Sequence, residues 1–144
     1  VMADTWGSIP YSEAFKLKEG VIYAKYDDLT SIYSTLISEL NEAIAMINED
    51  EPAFTTGDLI YSGDAAQWKK FGNSLKCKVA LRLSKVDPNW KKHIQEAVAS
   101  GVFTSNDDNA VFTYLTTDPD QSYFYRGFFV DARNDFSIAK PFTN

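Results

Sequence analysis

The side chains best suited to doing something in this 144-residue chain are aromatic rings set among polar groups. The chemistry they suit is recognition rather than bond cleavage. Two stretches carry them. Trp6 and Tyr11 fall in a loop-like run beside Asp4 and Glu13, and Asp120-Gln121-Ser122-Tyr123-Phe124-Tyr125-Arg126-Gly127-Phe128-Phe129 gathers rings around one guanidinium. Flat rings offer stacking platforms, while carboxylate, amide and guanidinium groups orient the polar edges of whatever is held. If this second stretch is extended, alternation puts Tyr123 and Tyr125 on one face. The competing use of the same rings is to anchor loops onto helices. Ile9-Pro10-Tyr11 reads as a packed turn, which favours that use for Trp6 and Tyr11; for Tyr123 and Tyr125 the two readings stand level.

Covalent chemistry finds little to work with. No Ser or Cys nucleophile sits in a recognisable motif, and Cys77 and His93 are each the sole residue of their type. One histidine cannot supply a metal cluster, and among Lys91 and Lys92 on a surface helix it reads as solvated. Gly57, Gly63 and Gly72 do not form a phosphate-cradling loop. Asp107, Asp108 or Asp120 could serve a hydrolase. Ser105-Asn106-Asp107-Asp108-Asn109 could hold calcium, but it lacks the alternating ligand spacing of a calcium loop and reads as a polar turn. The residues therefore point to a non-enzyme with no catalytic group, no metal and no cofactor. The candidate ligand contacts are Trp6, Tyr11, Tyr123, Tyr125 and Arg126.

Three helices must position these groups. From Asp28 to about Asn48, apolar residues at Leu29, Ile32, Tyr33, Leu36, Ile37, Leu40, Ala43, Ile44 and Ile47 keep one stripe. Asp27 or Asp28 can cap its start, and Pro52 ends the region. A second helix is expected from about Ala65 to Val86, with Asp64 as N-cap and Gln67 in capping-box position. Trp68, Phe71, Gly72, Leu75, Val79, Leu83 and Val86 share one arc. Asn73, Cys77, Ala80, Leu81 and Ser84 make a small-residue opposite face, the pattern of a helix held between two neighbours. Arg82 falls inside the apolar arc, so a structural ion pair with an aspartate of an adjoining loop is expected. The third helix has Asp87 as cap, Pro88 in its first position and Gly101 at its close, with Trp90, Ile94, Ala97 and Val98 inward.

The length suits a single domain, and 44% apolar with 24% charged residues is ordinary for a globular chain. A net charge of −6 and a pI near 4.7 argue against nucleic acid. No run approaches the roughly 18 apolar residues of a membrane helix. Charge is uneven: residues 1–64 carry net −9, 65–100 net +6 and 101–144 net −3. Acidic and basic elements packing side by side explain this more simply than a basic ligand surface. The chain divides into an N-terminal loop region (1–26), a three-helix core (27–101) and a loop-rich tail (102–144), with short strands expected at Val111–Leu115 and Phe124–Val130. So long a tail, and a start at Val1 without an initiator Met or signal peptide, suggest an incomplete segment of something longer.

Several segments together resemble the SusD/RagB family. Asp4-Thr5-Trp6-Gly7-Ser8-Ile9-Pro10-Tyr11-Ser12-Glu13-Ala14 is similar to its "D-x-x-G-x-I-P-Y-x-E-A" run. Tyr26-Asp27 and Ile32-Tyr33 with Glu39-Leu40-Asn41-Glu42-Ala43-Ile44 follow in order. Asp58-Leu59-Ile60-Tyr61-Ser62-Gly63-Asp64, Trp68-Lys69-Lys70-Phe71-Gly72-Asn73-Ser74-Leu75-Lys76 and Ala80-Leu81-Arg82-Leu83-Ser84 are the most specific match, and Arg133-Asn134-Asp135-Phe136 a weaker one. The resemblance implies a mainly α fold of helix pairs similar to tetratricopeptide repeats, with long irregular loops. It implies an outer-membrane, surface-exposed lipoprotein whose lipid anchor is not in this segment. Such a protein would bind an oligo- or polysaccharide and deliver it to a SusC-like TonB-dependent transporter. Sugars offer apolar C–H faces and rings of hydroxyls, which stacking aromatics with polar neighbours suit. A peptide or other nutrient is the first alternative ligand, and a helical-repeat scaffold that binds only protein is the second.

Overall fold

The structure, a computed structural model, describes residues 1–51, 54 and 56–133. The chain forms two compact units, residues 1–110 and the part from Val111 onward. Helices α1 (Met2–Trp6), α2 (Leu29–Met46), α3 (Ala65–Arg82), α4 (Trp90–Ser100) and α5 (Tyr123–Tyr125) dominate, with 3-10 turns at Lys16–Glu19 and Asn106–Asp108. Among the described residues there is no strand, only one antiparallel bridge between Ile9 and Asp27. The mainly α expectation holds.

Helix α2 starts where the Asp28 carboxylate accepts from the Thr30 and Ser31 amides, so two of its orphan donors are satisfied at once. It buries Ile32, Tyr33 and Ile37, and it stops at Met46, two residues short of the expected end. Pro52, expected to end the region, lies outside the described residues. Helix α3 is capped by Asp64, whose carboxylate accepts from the Gln67 amide at 3.1 Å. The reciprocal half of a capping box is missing, because Gln67 Oε1 is buried without a hydrogen-bond partner. The helix ends at Arg82 rather than Val86. Leu83 closes it, and the amides of Val86 and Asp87 both donate to the Leu83 carbonyl, turning the chain sharply. That turn leaves Leu83 buried at 1% exposure and Val86 exposed at 60%.

Helix α3 lies between α2 and α4. Val79, Ala80 and Leu83 join Ile32, Tyr33 and Ile37 of α2 and Ala3 of α1 in the core, and Ile94 of α4 packs against them. Gly72 lets α2 come close: a Cβ there would sit 2.9 Å from Ile44 Cγ1. The other face buries polar groups. Asn73 and Lys76 are almost fully buried, with Lys76 Nζ 3.0 Å from Glu96 of α4.

Helix α4 starts at Trp90, two residues later than expected. Asp87 caps a preceding turn instead, accepting from the Asn89 amide at 2.8 Å. Gly101 closes it with φ 97. His93 is half-buried rather than solvated. Its Nε2 lies 3.4 Å from Asp87 Oδ2, and its Nδ1 is buried without a hydrogen-bond partner. Beyond Gly101 the chain runs back along α3 as a strap held by side chains. Asn73 Nδ2 donates to the Gly101 carbonyl at 2.9 Å, the Phe103 amide to Ser74 Oγ at 2.8 Å, Lys70 Nζ to Asp108 Oδ1 at 2.8 Å, and Tyr61 Oη to the Asp108 carbonyl at 2.8 Å.

The second unit corrects both strand expectations. Residues 111–115 carry no ladder; the Leu115 amide donates to Asp120 instead. The side-chain alternation is real, since the rings of Phe112 and Tyr114 meet edge to face at 5.1 Å, but no described segment pairs with them. Residues 123–130 are helical, α5 running into a wide π turn at Arg126–Val130. Rings at positions 125 and 129 fit a helical repeat as well as a loop, and that spacing prevails.

Candidate ligand-binding site

In the second unit the aromatic run forms a short helix. Tyr125 and Phe129, four positions apart, stack with ring centroids 5.2 Å apart and an interplanar angle of 29°. Tyr123 and Phe124 meet edge to face at 5.9 Å. All four rings are exposed, Phe129 most at 77%. Because the segment is helical, Tyr123 and Tyr125 do not share a face as alternation in a strand would require. The partner of Tyr125 is Phe129, a residue that an i, i+4 reading of the sequence would have found.

Arg126 sits within this turn, half exposed, and its charge is spoken for. Its Nη1 donates to Asp118 Oδ1, and its Nε lies 3.8 Å from Asp131 Oδ2. The backbone helps, the Asp131 amide donating to the Arg126 carbonyl at 2.9 Å. The arrangement is a ring platform beside an ion triad. It can stack on an apolar face and offer carboxylate acceptors and guanidinium donors at its edge.

Trp6 and Tyr11 belong to the other unit. Trp6, at the end of α1, is 74% exposed. Tyr11 is half-buried against the core, and its hydroxyl donates to Glu39 Oε2 of α2 at 2.7 Å. Burial, and then Glu39, push its phenol up to about 12. Asp27 builds the turn beneath it, accepting from the Tyr11 and Ser12 amides and from Ser12 Oγ. The Ser12 amide above all lowers the Asp27 carboxyl from its ordinary value. Between α1, residues 9–15 and α2 runs a groove of about 870 Å³, mainly apolar, with Tyr11, Ser12 and Glu39 as polar points. Phe15 stands at its lining, fully exposed, on backbone with φ 67 that a bulky side chain rarely adopts. Trp68 is integrated differently: its Nε1 donates to Asp58 at 2.8 Å, and its ring meets Tyr61 and Phe71 edge to face.

Arg82 pairs with Asp4 of α1, a residue of a short helix rather than of a loop. Of the carboxylates with catalytic or calcium potential, Asp108 is buried and fully engaged. Lys70, and then the Thr104 and Ser105 amides against the cost of burial, hold its carboxyl far below the usual range. Ser105 and Asp108 form a reciprocal capping box on the 3-10 turn. Among the described residues no group of three or more His, Cys, Asp and Glu side chains is placed to hold a metal ion. No helix among them is long and apolar enough to cross a membrane. Asn134-Asp135-Phe136 of the weaker sequence match lie outside the described residues.

Over residues 1–144 the chain matches the SusD-like family model described as "Starch-binding associating with outer membrane". Among solved structures, a chitin-binding protein is 36% identical at a TM-score of 0.64, over 76% of this chain and 23% of its own. A SusD homologue from Bacteroides uniformis is 31% identical at a TM-score of 0.74, over 90% of this chain and 27% of its own. One from Bacteroides ovatus is 29% identical at a TM-score of 0.70, over 88% and 26%. The chain thus spans about a quarter of the length of these relatives. No curated protein matches it.

Proposed function

The chain belongs to the SusD-like family, and on that premise we propose that it is part of a cell-surface glycan-binding protein of an outer-membrane nutrient-uptake system. The protein holds an oligo- or polysaccharide without cleaving it and delivers it to a SusC-like TonB-dependent transporter. Its membrane attachment is a lipid anchor. The observation that carries the binding role is the exposed turn at 123–129, where Tyr125 and Phe129 stack and Tyr123 and Phe124 stand beside them. An exposed ring cluster is costly to leave in water and useful when a sugar's C–H face covers it. Asp118, Arg126 and Asp131 then supply acceptors and donors for the hydroxyls.

Charge weighs against the scaffold alternative. Three basic residues of α3 are used internally, Lys69 with Glu49, Lys70 with Asp108 and Lys76 with Glu96, which leaves Lys78 exposed. The experiment is calorimetric titration of the whole protein with a panel of oligosaccharides and peptides. Binding to at least one oligosaccharide, weakened about tenfold or more in both Tyr125→Ala and Phe129→Ala, is the expected result. Heat only with peptides transfers the site to the peptide reading. Silence with every ligand, or a sugar response that neither variant changes, removes this turn from ligand binding.

A further inference from the structure

The geometry points to the Asp118–Arg126–Asp131 triad as a charge filter that admits neutral glycans to the aromatic turn and rejects uronate-bearing ones. This rests on the reading of residues 123–129 as the sugar platform. An arginine beside stacked rings would ordinarily attract carboxylate or sulfate groups, because a guanidinium takes such anions in two-pronged fashion. Here its fork is already shared with two carboxylates. Asp118 accepts from Nη1 and Asp131 faces Nε, so the triad as a whole carries one negative charge. Asp120, two residues from Asp118, and Arg133, two residues from Asp131, add one charge of each sign. An incoming uronate meets two carboxylates competing for the Arg126 guanidinium, plus their repulsion. A neutral hexose meets the same groups as hydroxyl acceptors and donors, at no electrostatic cost. The pairs are surface pairs and add little to stability. What they change is the sign of the field a ligand feels within a few ångströms of the rings.

The test is titration of the whole protein with neutral gluco- and N-acetylgluco-oligosaccharides and with oligogalacturonate of matched length. Wild type is expected to bind a neutral series about tenfold or more tighter than the uronate. Asp118→Asn combined with Asp131→Asn should raise the ratio of uronate to neutral affinity about tenfold at low salt. Uronate binding as tight as neutral binding in wild type, or an unchanged ratio in the double variant, overturns the filter while leaving the sugar platform standing. Wild type silent to all sugars overturns the platform itself, and the filter with it. If the double variant does not fold, salt decides with wild type alone. Raising salt to about 0.5 M should strengthen uronate binding by screening the repulsion and leave neutral binding flat, and weakening of uronate binding by salt overturns the filter.

Discussion

Arg82 and Asp4, 78 positions apart in the chain, are joined side chain to side chain, the Arg82 Nε donating to Asp4 Oδ1. The Tyr33 hydroxyl donates to the same oxygen. One carboxylate therefore ties α1 to both α2 and α3. The five-residue α1 is too short to be stable by itself, so it depends on such ties and on Ala3 in the core. The Tyr33 hydrogen bond first, and then Arg82 against the cost of burial, lower the Asp4 carboxyl below its ordinary value.

Arg82→Met keeps the apolar stem of the side chain and deletes its charge. It should cost about 1 kcal/mol, read as a lower urea midpoint at constant slope, and Tyr33→Phe about as much. The two losses should be less than additive, since both partners share one oxygen. Full additivity would mean that Asp4 does not link them.

Gly72→Ala tests how closely α2 and α3 approach. Helix propensity alone favours alanine by about 1 kcal/mol. The new Cβ would lie 2.9 Å from Ile44 Cγ1, well inside normal contact, and the resulting repacking costs about 1–3 kcal/mol. The net outcome expected is destabilisation, partly rescued by Ile44→Ala in a double-mutant cycle. A Gly72→Ala protein more stable than wild type would show that the interface is looser than described.

Trp6 and Trp68 should behave oppositely. Trp68→Ala removes a ring that packs against Tyr61 and Phe71, and takes one of two donors from Asp58 Oδ2; about 3–5 kcal/mol is expected. Trp6→Ala should change stability by less than about 0.5 kcal/mol. Thermal melts of the two variants read this directly, and a large loss at Trp6 would make it an anchor.

Acid should weaken the fold before base does. At Asp58 burial raises the carboxyl, but amide donors from Gly63, Ile60 and Tyr61 and the Trp68 indole outweigh it and bring it from 3.8 to about 2. Asp108, Asp27 and Asp4 are lowered as well. The unfolded chain then binds protons that the folded one refuses. This stability is complete above about pH 4 and is lost as pH falls toward about 2. Tyr11 has the opposite sign, its contribution being intact below about pH 10 and lost as pH rises through about 12. Urea midpoints should be flat from about pH 5 to 9 and fall below about 4, less steeply in Asp58→Asn; a midpoint that holds to about pH 2.5 would refute this.

The helices were readable because their signals are local. Asp28, Asp64 and Gly101 mark real ends, and the two-faced pattern of α3 announced its place between α2 and α4. What stayed hidden depends on distant partners. Lys76 looks like a surface lysine until Glu96 comes across from α4 to pair with it. His93 looks solvated until the turn before α4 sets Asp87 beside it. The start of α4 moved because Asp87 can cap the Asn89 amide of a turn as readily as a helix. At the aromatic run, periods of two and of four both fit the spacing of the rings, and only the structure shows that four prevails.

The strap after Gly101 has a consequence for how freely the sequence can vary. Three of its ties pass through backbone atoms of Gly101, Phe103 and Asp108, which nearly any residue would provide, whereas the gripping side chains belong to Asn73, Ser74 and Tyr61. Gly101 is held to glycine by its φ of 97, but Val102 and Phe103 can drift without losing these ties. A change at Asn73 or Ser74 would release the strap. The information that shapes this segment is written in another part of the chain.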